Sequence, residues 1–230
     1  MRSLVWKDVV AARRLLWLVL PLGAVQLAVM SFVPGMYVMA ALTFAVLLAL
    51  GSIAIEEYQG TDLLWNSLPV SRGQFVAARY LTTLLGGAAG LTLSWALAQT
   101  VTRMASSGAG GSSALLGLGA HAVLFALLLF AVALYLPLYF GFGAGRALLY
   151  FSGIAVAGLI VLYVATQLLL AATGYASPGD PEVRRALLIS VLDWVAPRFG
   201  GLLAGFLTTA ALATGVSLFV SRRVYEARDL

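Results

Sequence analysis

Reactive side chains are scarce in this chain of 230 residues. It contains no cysteine, a single histidine, His121, and a single lysine, Lys7. Without thiols the chain can form neither disulfides nor thiolate metal sites. A zinc site needs three or four ligands, so one histidine argues against a zinc enzyme. A phosphate-binding loop places a lysine after glycines, and no glycine precedes Lys7. We therefore predict no ATPase site and no metal site in this chain, which we do not expect to be an enzyme.

Charge is also scarce, because only 10% of the residues are charged and 62% are apolar. Soluble domains carry about a quarter charged residues. Residues 15–55 carry no charge at all. As one helix this stretch would be about 60 Å long, roughly twice the thickness of the hydrocarbon layer. The turn-forming pair Pro34-Gly35 lies near its middle, so the stretch predicts two membrane spans.

Extended to the whole chain, this pattern predicts an all-α integral membrane protein with a single transmembrane domain over residues 1–230. We expect six transmembrane helices, at about 15–33, 36–55, 80–101, 115–137, 148–171 and 199–220. Alternate sides of the membrane would then hold ten and four Lys and Arg residues. Because basic residues concentrate in the cytoplasm, this imbalance predicts that both termini are cytoplasmic.

Two polar segments outside the spans have the pattern of surface helices. Apolar residues recur at helical spacing near the N-terminus and predict an interfacial helix that carries Trp6, Lys7, Arg13 and Arg14. The alternative is a flank whose charges only set the orientation of the first span. Between spans five and six, Asp180 and Pro181 are typical of a helix start, and we predict a short outer helix there. A purely structural lid over the sixth span is equally compatible with this pattern.

The polar stretch between spans two and three, from Glu56 to Arg79, also predicts a short helix. Thr61 and Asp62 can start this helix, and Pro69 can end it. Ser71 and Gln74 then have the spacing of a capping box that opens the next helix. A soluble partner can bind such an amphipathic helix. The alternative is an ordinary solvated loop with Trp65 anchored at the lipid interface.

Isolated residues inside the spans fit helix packing. Glycines four residues apart occur at Gly86/Gly90, Gly141/Gly145 and Gly201/Gly205, a spacing that allows close helix contacts. His121 fits a packing or interfacial role, and a proton relay is the alternative.

The segment from Glu56 to Arg72, EEYQGTDLLWNSLPVSR, resembles the ABC-2 type transporter permease family. Small bacterial members of that family have an acidic residue after the second span, followed by a Ser-Leu-Pro-Val-Ser-Arg stretch. The opening residues 4–8, LVWKD, also resemble the start of such permeases.

The resemblance implies a six-span, multi-pass subunit in the bacterial plasma membrane that pairs with a second permease subunit, which we expect to be a copy of itself. Two copies of a cytoplasmic ABC ATPase would bind ATP and Mg, so this chain itself would hold no cofactor. The helix between spans two and three would be the coupling helix that docks into the ATPase. The residues expected to form this contact are Glu56, Glu57, Asp62, Trp65, Leu68, Pro69 and Arg72.

The main hypothesis is therefore the membrane subunit of an ABC exporter, surrounded by lipid and without a nucleic-acid partner. The rival is a stand-alone secondary carrier or membrane assembly scaffold that works without an ATPase. Secondary carriers usually hold ionisable residues within their spans, and we expect none here away from a span edge. The substrate stays open between a peptide, a drug and a lipid-like molecule.

Overall fold

The computed structural model describes residues 37–58, 71–104, 118–172 and 196–227, together with Trp17, Pro21 and Val25. Within these ranges every residue except Ser71, Gly143 and Ala227 is helical. The helices, in chain order, are α1 (Tyr37–Tyr58), α2 (Arg72–Met104), α3 (Leu118–Phe142), α4 (Ala144–Ala172) and α5 (Phe199–Glu226), and a 3₁₀ turn, Ala196–Arg198, precedes α5.

Four helical stretches in the described ranges are long and apolar enough to cross a membrane. These stretches are Arg72–Leu97, Gly119–Phe142, Ala144–Leu168 and Ala196–Glu226. Helix α1 contains a shorter apolar stretch, Ala41–Gly51. The chain is thus a multi-pass membrane protein whose described part is helical, without strands. The predicted first span, the N-terminal helix and the outer helix before α5 lie outside the described residues, apart from helical Trp17, Pro21 and Val25. The count of six spans stays a prediction.

The helices that correspond to spans three, four and six extend beyond the predicted boundaries. Helix α2 begins at Arg72, directly after Ser71 as the predicted capping position indicates, and so starts two turns before the predicted span near residue 80. Helix α3 continues through Pro137, which we took as its end, and stops at Phe142. Helix α5 runs on to Glu226, where an ion pair between Arg222 and Glu226 supports its last turn.

A single glycine separates α3 from α4. Gly143 has φ 83°, a left-handed conformation that costs glycine little and other residues much more. Its N–H donates to the carbonyl of Tyr139, and its carbonyl accepts from the N–H of Ala147. The chain therefore reverses within one residue, and α4 starts at Ala144, a turn earlier than predicted.

Helices α1 and α2 pack backbone to backbone through the glycine pair that we singled out in the sequence. A Cβ on Gly90 would lie 2.7 Å from the carbonyl oxygen of Phe44, and one on Gly86 would lie 2.5 Å from that of Leu48. Ala45 and Ala49 are buried against these glycines. Small residues on both helices thus allow the close contact that membrane helices use for association.

Helices α3 and α5 make the other extensive contact of the bundle. Ala126 and Ala210 are fully buried between them, and the rings of Phe130 and Phe206 lie 5.3 Å apart. The hydroxyl of Ser217 in α5 donates to the carbonyl of Ala133 in α3, and the hydroxyl of Thr214, which bonds to Ala210 of its own helix at 2.8 Å, lies 3.3 Å from the carbonyl of Leu129 in α3. Side-chain packing and a hydrogen bond to the backbone therefore join these two helices.

Helix α4 is the least buried helix among the described residues. Only Ala144 and Ala147, in its first turn, are buried, and residues 152–166 are all exposed. An apolar helix that is exposed on all sides in one chain faces lipid or another membrane helix.

The glycine contact predicts that an added methyl group at Gly90 is costly. We expect Gly90→Ala to destabilise the protein by about 1–3 kcal/mol, because the new Cβ would press against the backbone of α1. Gly158→Ala is the matched control, since a Cβ at Gly158 meets no atom within 4 Å. Thermal unfolding of the two purified variants in detergent would compare them. Equal melting temperatures would contradict the packing of α1 on α2.

Candidate functional site at the basic end of the bundle

Most described arginine side chains lie at one end of the bundle, where α2 and α4 begin and α1, α3 and α5 end. We call this the basic end, and its arginines are Arg72, Arg79, Arg146, Arg222 and Arg223. Arg198, by contrast, lies at the start of α5. The segment 59–70, which contains the predicted coupling helix, connects α1 to α2 at the basic end. The contacts there show how this segment joins the bundle.

Ser71 caps the first turn of α2. Its Oγ accepts a hydrogen bond from the backbone N–H of Gln74 at 3.3 Å, and its carbonyl accepts from the N–H of Phe75 at 3.1 Å. This is the serine half of the predicted capping box, and it satisfies one of the N–H groups that every helix start leaves open. The chain that leaves segment 59–70 therefore enters α2 through a defined cap.

Arg72 connects the start of α2 to the end of α5. Its Nη1 donates to the carbonyl of Glu226 at 3.0 Å and to that of Tyr225 at 3.4 Å. The last carbonyls of a helix lack partners within the helix, and a cation there also interacts favourably with the helix dipole. Arg72, which we expect to take part in the ATPase contact, is thus anchored on the last turn of α5.

An aromatic cluster forms the next layer of the basic end. The ring of Phe75 in α2 stacks on Tyr225 of α5 at 5.6 Å, and it meets Phe140 of α3 edge-on at 6.4 Å. Phe140 and Tyr225 lie 5.3 Å apart. The guanidinium carbon of Arg79, which is 1% exposed, lies 5.4 Å from the centre of the Phe75 ring. Each of these aromatic pairs stabilises the contact beyond the area it buries, and the arginine adds a cation–π contact.

A chain of hydroxyl groups lies deeper in the bundle and links α2, α5 and α3. The hydroxyl of Tyr80 lies 2.6 Å from Ser217 Oγ and 2.8 Å from Ser221 Oγ. Ser217 Oγ in turn donates to the backbone carbonyl of Ala133 at 2.5 Å. Pro137, four residues after Ala133, has no N–H, so Ala133 cannot receive its usual helical hydrogen bond. Ser217 replaces the missing donor.

Counting the available protons shows which hydroxyl group donates in each of these hydrogen bonds. A serine or tyrosine hydroxyl has one proton to donate and two lone pairs to accept with. Ser217 donates its proton to the carbonyl of Ala133, so in the bond between Tyr80 and Ser217 the donor must be Tyr80. Because Tyr80 then has no further proton to donate, Ser221 must be the donor in its bond with Tyr80. The order Ser221, Tyr80, Ser217, Ala133 therefore follows from the carbonyl that Pro137 leaves open.

The register of α1 against α2 places Glu56, one of the predicted site residues, level with Arg79. Gly90 faces Phe44 and Ala45, and Gly86 faces Leu48 and Ala49. When this antiparallel register is continued for two turns towards the basic end, Glu56 is level with Arg79. Glu56 therefore lies at the same depth of the bundle as the buried arginine, at the base of segment 59–70.

Comparison with known proteins gives one match. The sequence model of ABC-2 family transporter proteins matches residues 3–226. The chain belongs to the ABC-2 transporter family. No curated protein and no solved structure is similar enough to count as a match.

The site residues expected of this ABC-2 chain are only partly described. Arg72 has the contacts given above, and Glu56 and Glu57 lie in the last turn of α1. The central residues Asp62, Trp65, Leu68 and Pro69 lie outside the described residues, as do Trp6, Lys7, Arg13 and Arg14 of the N-terminal helix. Their roles stay predictions.

Other residues of the site were missed in the sequence of this ABC-2 protein. Arg79 was placed at the membrane edge, although its spacing of four from Phe75 on one helix face was a usable signal. Nothing in the sequence of Tyr80, Ser217 and Ser221 brings them together. His121 lies at the opposite end of the bundle, where its ring meets Trp95 at 6.0 Å. Within the described ranges, no three His, Cys, Asp or Glu residues come close enough to hold a metal ion.

The proton count predicts unequal effects of removing the two serine hydroxyls from this ABC-2 protein. Ser217→Ala leaves the carbonyl of Ala133 without a donor, so we expect it to cost about 1–3 kcal/mol of stability. Ser221→Ala removes only a donor to Tyr80, which keeps its bond to Ser217, so we expect a smaller loss. Thermal or denaturant unfolding in detergent would rank the variants. The explanation fails if the two losses are equal.

A double-mutant cycle tests the role of the proline directly. Pro137→Ala restores an N–H that can reach the carbonyl of Ala133. In that background we expect Ser217→Ala to cost clearly less than in the wild-type chain. An unchanged cost would show that Ser217 does not compensate for the proline.

Proposed function

We propose that this ABC-2 chain is the membrane-spanning permease subunit of an ATP-driven exporter. In this proposal a separate cytoplasmic ATPase docks on the coupling segment, residues 56–72. The observation that carries the proposal is the anchoring of the end of this segment, where Ser71 caps α2 and Arg72 holds the last carbonyls of α5. A movement of the segment would therefore act on two helices at once.

The aromatic and hydroxyl contacts beyond Arg72 would transmit such a movement from α2 to α3 and α5. Phe75 contacts both α3 and α5, and Tyr80 is hydrogen-bonded into α5 and, through Ser217, to the backbone of α3. A ligand shifts a conformational equilibrium only if it binds the two states differently. An ATPase that holds the coupling segment differently with and without ATP would meet this condition, because α2 cannot move at this end without disturbing α3 and α5.

The partners in this proposal follow from the chemistry that the sequence lacks. With Lys7 as its only lysine and no preceding glycine, the chain has no phosphate-binding loop of its own. ATP and Mg are therefore assigned to the ATPase, in two copies, and two copies of this chain would form the export pathway. We assign the basic end to the cytoplasm of a bacterial plasma membrane, because basic residues collect on that side.

One observation favours the rival function, a secondary carrier that needs no ATPase. Arg79 is almost fully buried within a stretch long enough to span the membrane, and ionisable residues in such places often belong to ion or substrate pathways. Against this, Arg79 lies only two turns from the start of α2, beside the aromatic cluster. We therefore assign Arg79 a role in anchoring the coupling segment. Transport that persists without any ATPase would instead support the carrier.

The orientation can be tested on single-cysteine variants, because the chain has no cysteine of its own. We expect Ser106→Cys, between α2 and α3 in the sequence, to react with a membrane-impermeant maleimide added to intact cells. Ser71→Cys should react only after the cells are opened, because it lies at the basic end. The opposite pattern would invert the assignment, and labelling of both sites in intact cells would contradict the number of crossings between them.

The docking site can be tested with two tryptophan variants. We expect Trp65→Ala to insert into the membrane normally but to lose most of the stimulation of its ATPase, because a buried aromatic knob is typically worth 2 kcal/mol or more at a binding interface, roughly a thirtyfold change. Trp95→Ala is the matched control, since Trp95 is an exposed tryptophan towards the opposite end of α2. The measurement is ATPase activity of the co-purified complex in lipid vesicles. Equal stimulation by both variants would place the ATPase contact elsewhere.

A further inference from the structure

A groove runs along the outside of the bundle where α3 turns into α4 at the basic end. Its volume is about 740 Å³, and its walls are Leu138, Phe142, Leu149, Tyr150, Gly153 and Ile154. The rings of Phe142 and Tyr150 meet edge to face at 5.1 Å and form one firm wall. A Cβ on Gly153 would meet no atom within 4 Å, so the groove is open above this glycine. The groove is thus an apolar channel that faces outward from the described bundle.

A basic residue, Arg146, lies one turn before the groove-lining residues of α4, and its spacing from them puts it at the end of the groove nearest the basic end. Arg146 precedes Leu149 by three residues and Tyr150 by four on α4, so all three lie on one face of the helix. Arg146 is exposed and lies in the first turn of α4, at the basic end. From Arg146 to Ile154 the helix rises about 12 Å, which is a sizeable part of one leaflet of the bilayer. A cationic mouth and an apolar channel match the two halves of an anionic lipid.

We propose that this groove binds one anionic phospholipid of the cytoplasmic leaflet, with its phosphate at Arg146 and an acyl chain along Gly153 and Ile154. Basic pockets between membrane helices on the cytoplasmic side are suited to anionic headgroups. The proposal does not depend on the ATPase partner, since it uses only the groove and the charge at its mouth.

Charge favours a lipid over the two other candidate occupants of the groove, which are the first span of this chain and a second copy of the chain. The predicted first span is preceded by Arg13 and Arg14 on the same side of the membrane, so that span in the groove would bring further positive charge towards Arg146. A second copy that packed on this face about a two-fold axis would bring its own Arg146 towards the first. Both arrangements add repulsion at the mouth of the groove, whereas a phosphate provides attraction.

The test is lipid binding by the full-length protein after delipidation in detergent. Native mass spectrometry would measure the affinity for phosphatidylglycerol and for phosphatidylcholine with the same acyl chains. We expect the wild-type protein to prefer phosphatidylglycerol. Arg146→Gln should weaken phosphatidylglycerol binding about fivefold, the size expected of one interfacial arginine, and leave phosphatidylcholine unchanged. Arg146→Lys should retain most of the preference.

Matched controls exist for both parts of the site. Arg223→Gln removes a charge at the same end of the bundle but away from the groove, and should leave the preference intact. Gly153→Leu fills the groove and should weaken binding of both lipids, whereas Gly158→Leu, on another face of α4, should not. A Cβ at either glycine meets no atom within 4 Å, so neither substitution is expected to disturb the fold.

Three results would overturn the proposal. The first is the absence of any preference for phosphatidylglycerol in the wild-type protein. The second is an equal loss of preference in Arg146→Gln and Arg223→Gln, which would indicate general attraction to the basic end. The third is that Gly153→Leu changes the oligomeric mass but not the lipid binding, which would make a second copy of the chain the occupant.

Discussion

The carbonyl of Ala133 has no N–H partner in its own helix, because Pro137 occupies the position that would supply one. In water this group could bind solvent, but inside a bilayer an open carbonyl is costly and must be satisfied by protein. Ser217 of α5 meets that need, and its choice of acceptor sets the direction of the hydrogen bonds to Tyr80 and Ser221. The carbonyl that one proline leaves open is therefore the end point of hydrogen bonds that join three helices.

This constraint also explains how an apolar bundle obtains a specific arrangement. Between membrane helices the hydrophobic effect gives little preference for one partner over another, so specificity comes from close packing and hydrogen bonds. In this bundle, close packing and hydrogen bonds occur at different helix contacts. Gly86 and Gly90 bring α2 against the backbone of α1, whereas Ser217 of α5 bonds to the backbone of α3. Helix α2 takes part in both contacts, since Tyr80 joins the hydroxyl chain, and α2 begins where the coupling segment ends.

The sequence predicted most of the helical framework and less of the site. Long uncharged runs predicted the helices, because this signal is local. Of the three glycine pairs that the spacing singled out, only Gly86/Gly90 packs against another helix backbone, and the spacing did not indicate which helix that would be. The predicted fourth span ended at residue 137, whereas α3 continues through Pro137 to Phe142, and the carbonyl that the proline leaves open is satisfied by Ser217, 80 residues further along the chain. Arg79 was placed at the membrane edge, in the polar stretch before the third span. Its spacing from Phe75 indicates a shared helix face, but its burial depends on the neighbouring helices, which no local pattern shows.

The distribution of arginines gives the basic end more than one role. Arg72 lies on the carbonyls of α5 and Arg79 on an aromatic ring, so both are committed to contacts within the bundle. Arg222 is paired with Glu226, and Arg223 lies over the ring of Phe219. Arg146 differs because it is exposed and lies one turn before the groove-lining residues of α4, the helix with the fewest contacts in the described bundle. Arg72 thus joins α2 to α5, whereas the ring contacts of Arg79 and Arg223 and the ion pair of Arg222 lie within their own helices. Arg146, on α4, is separate in position from the arginine that links α2 and α5.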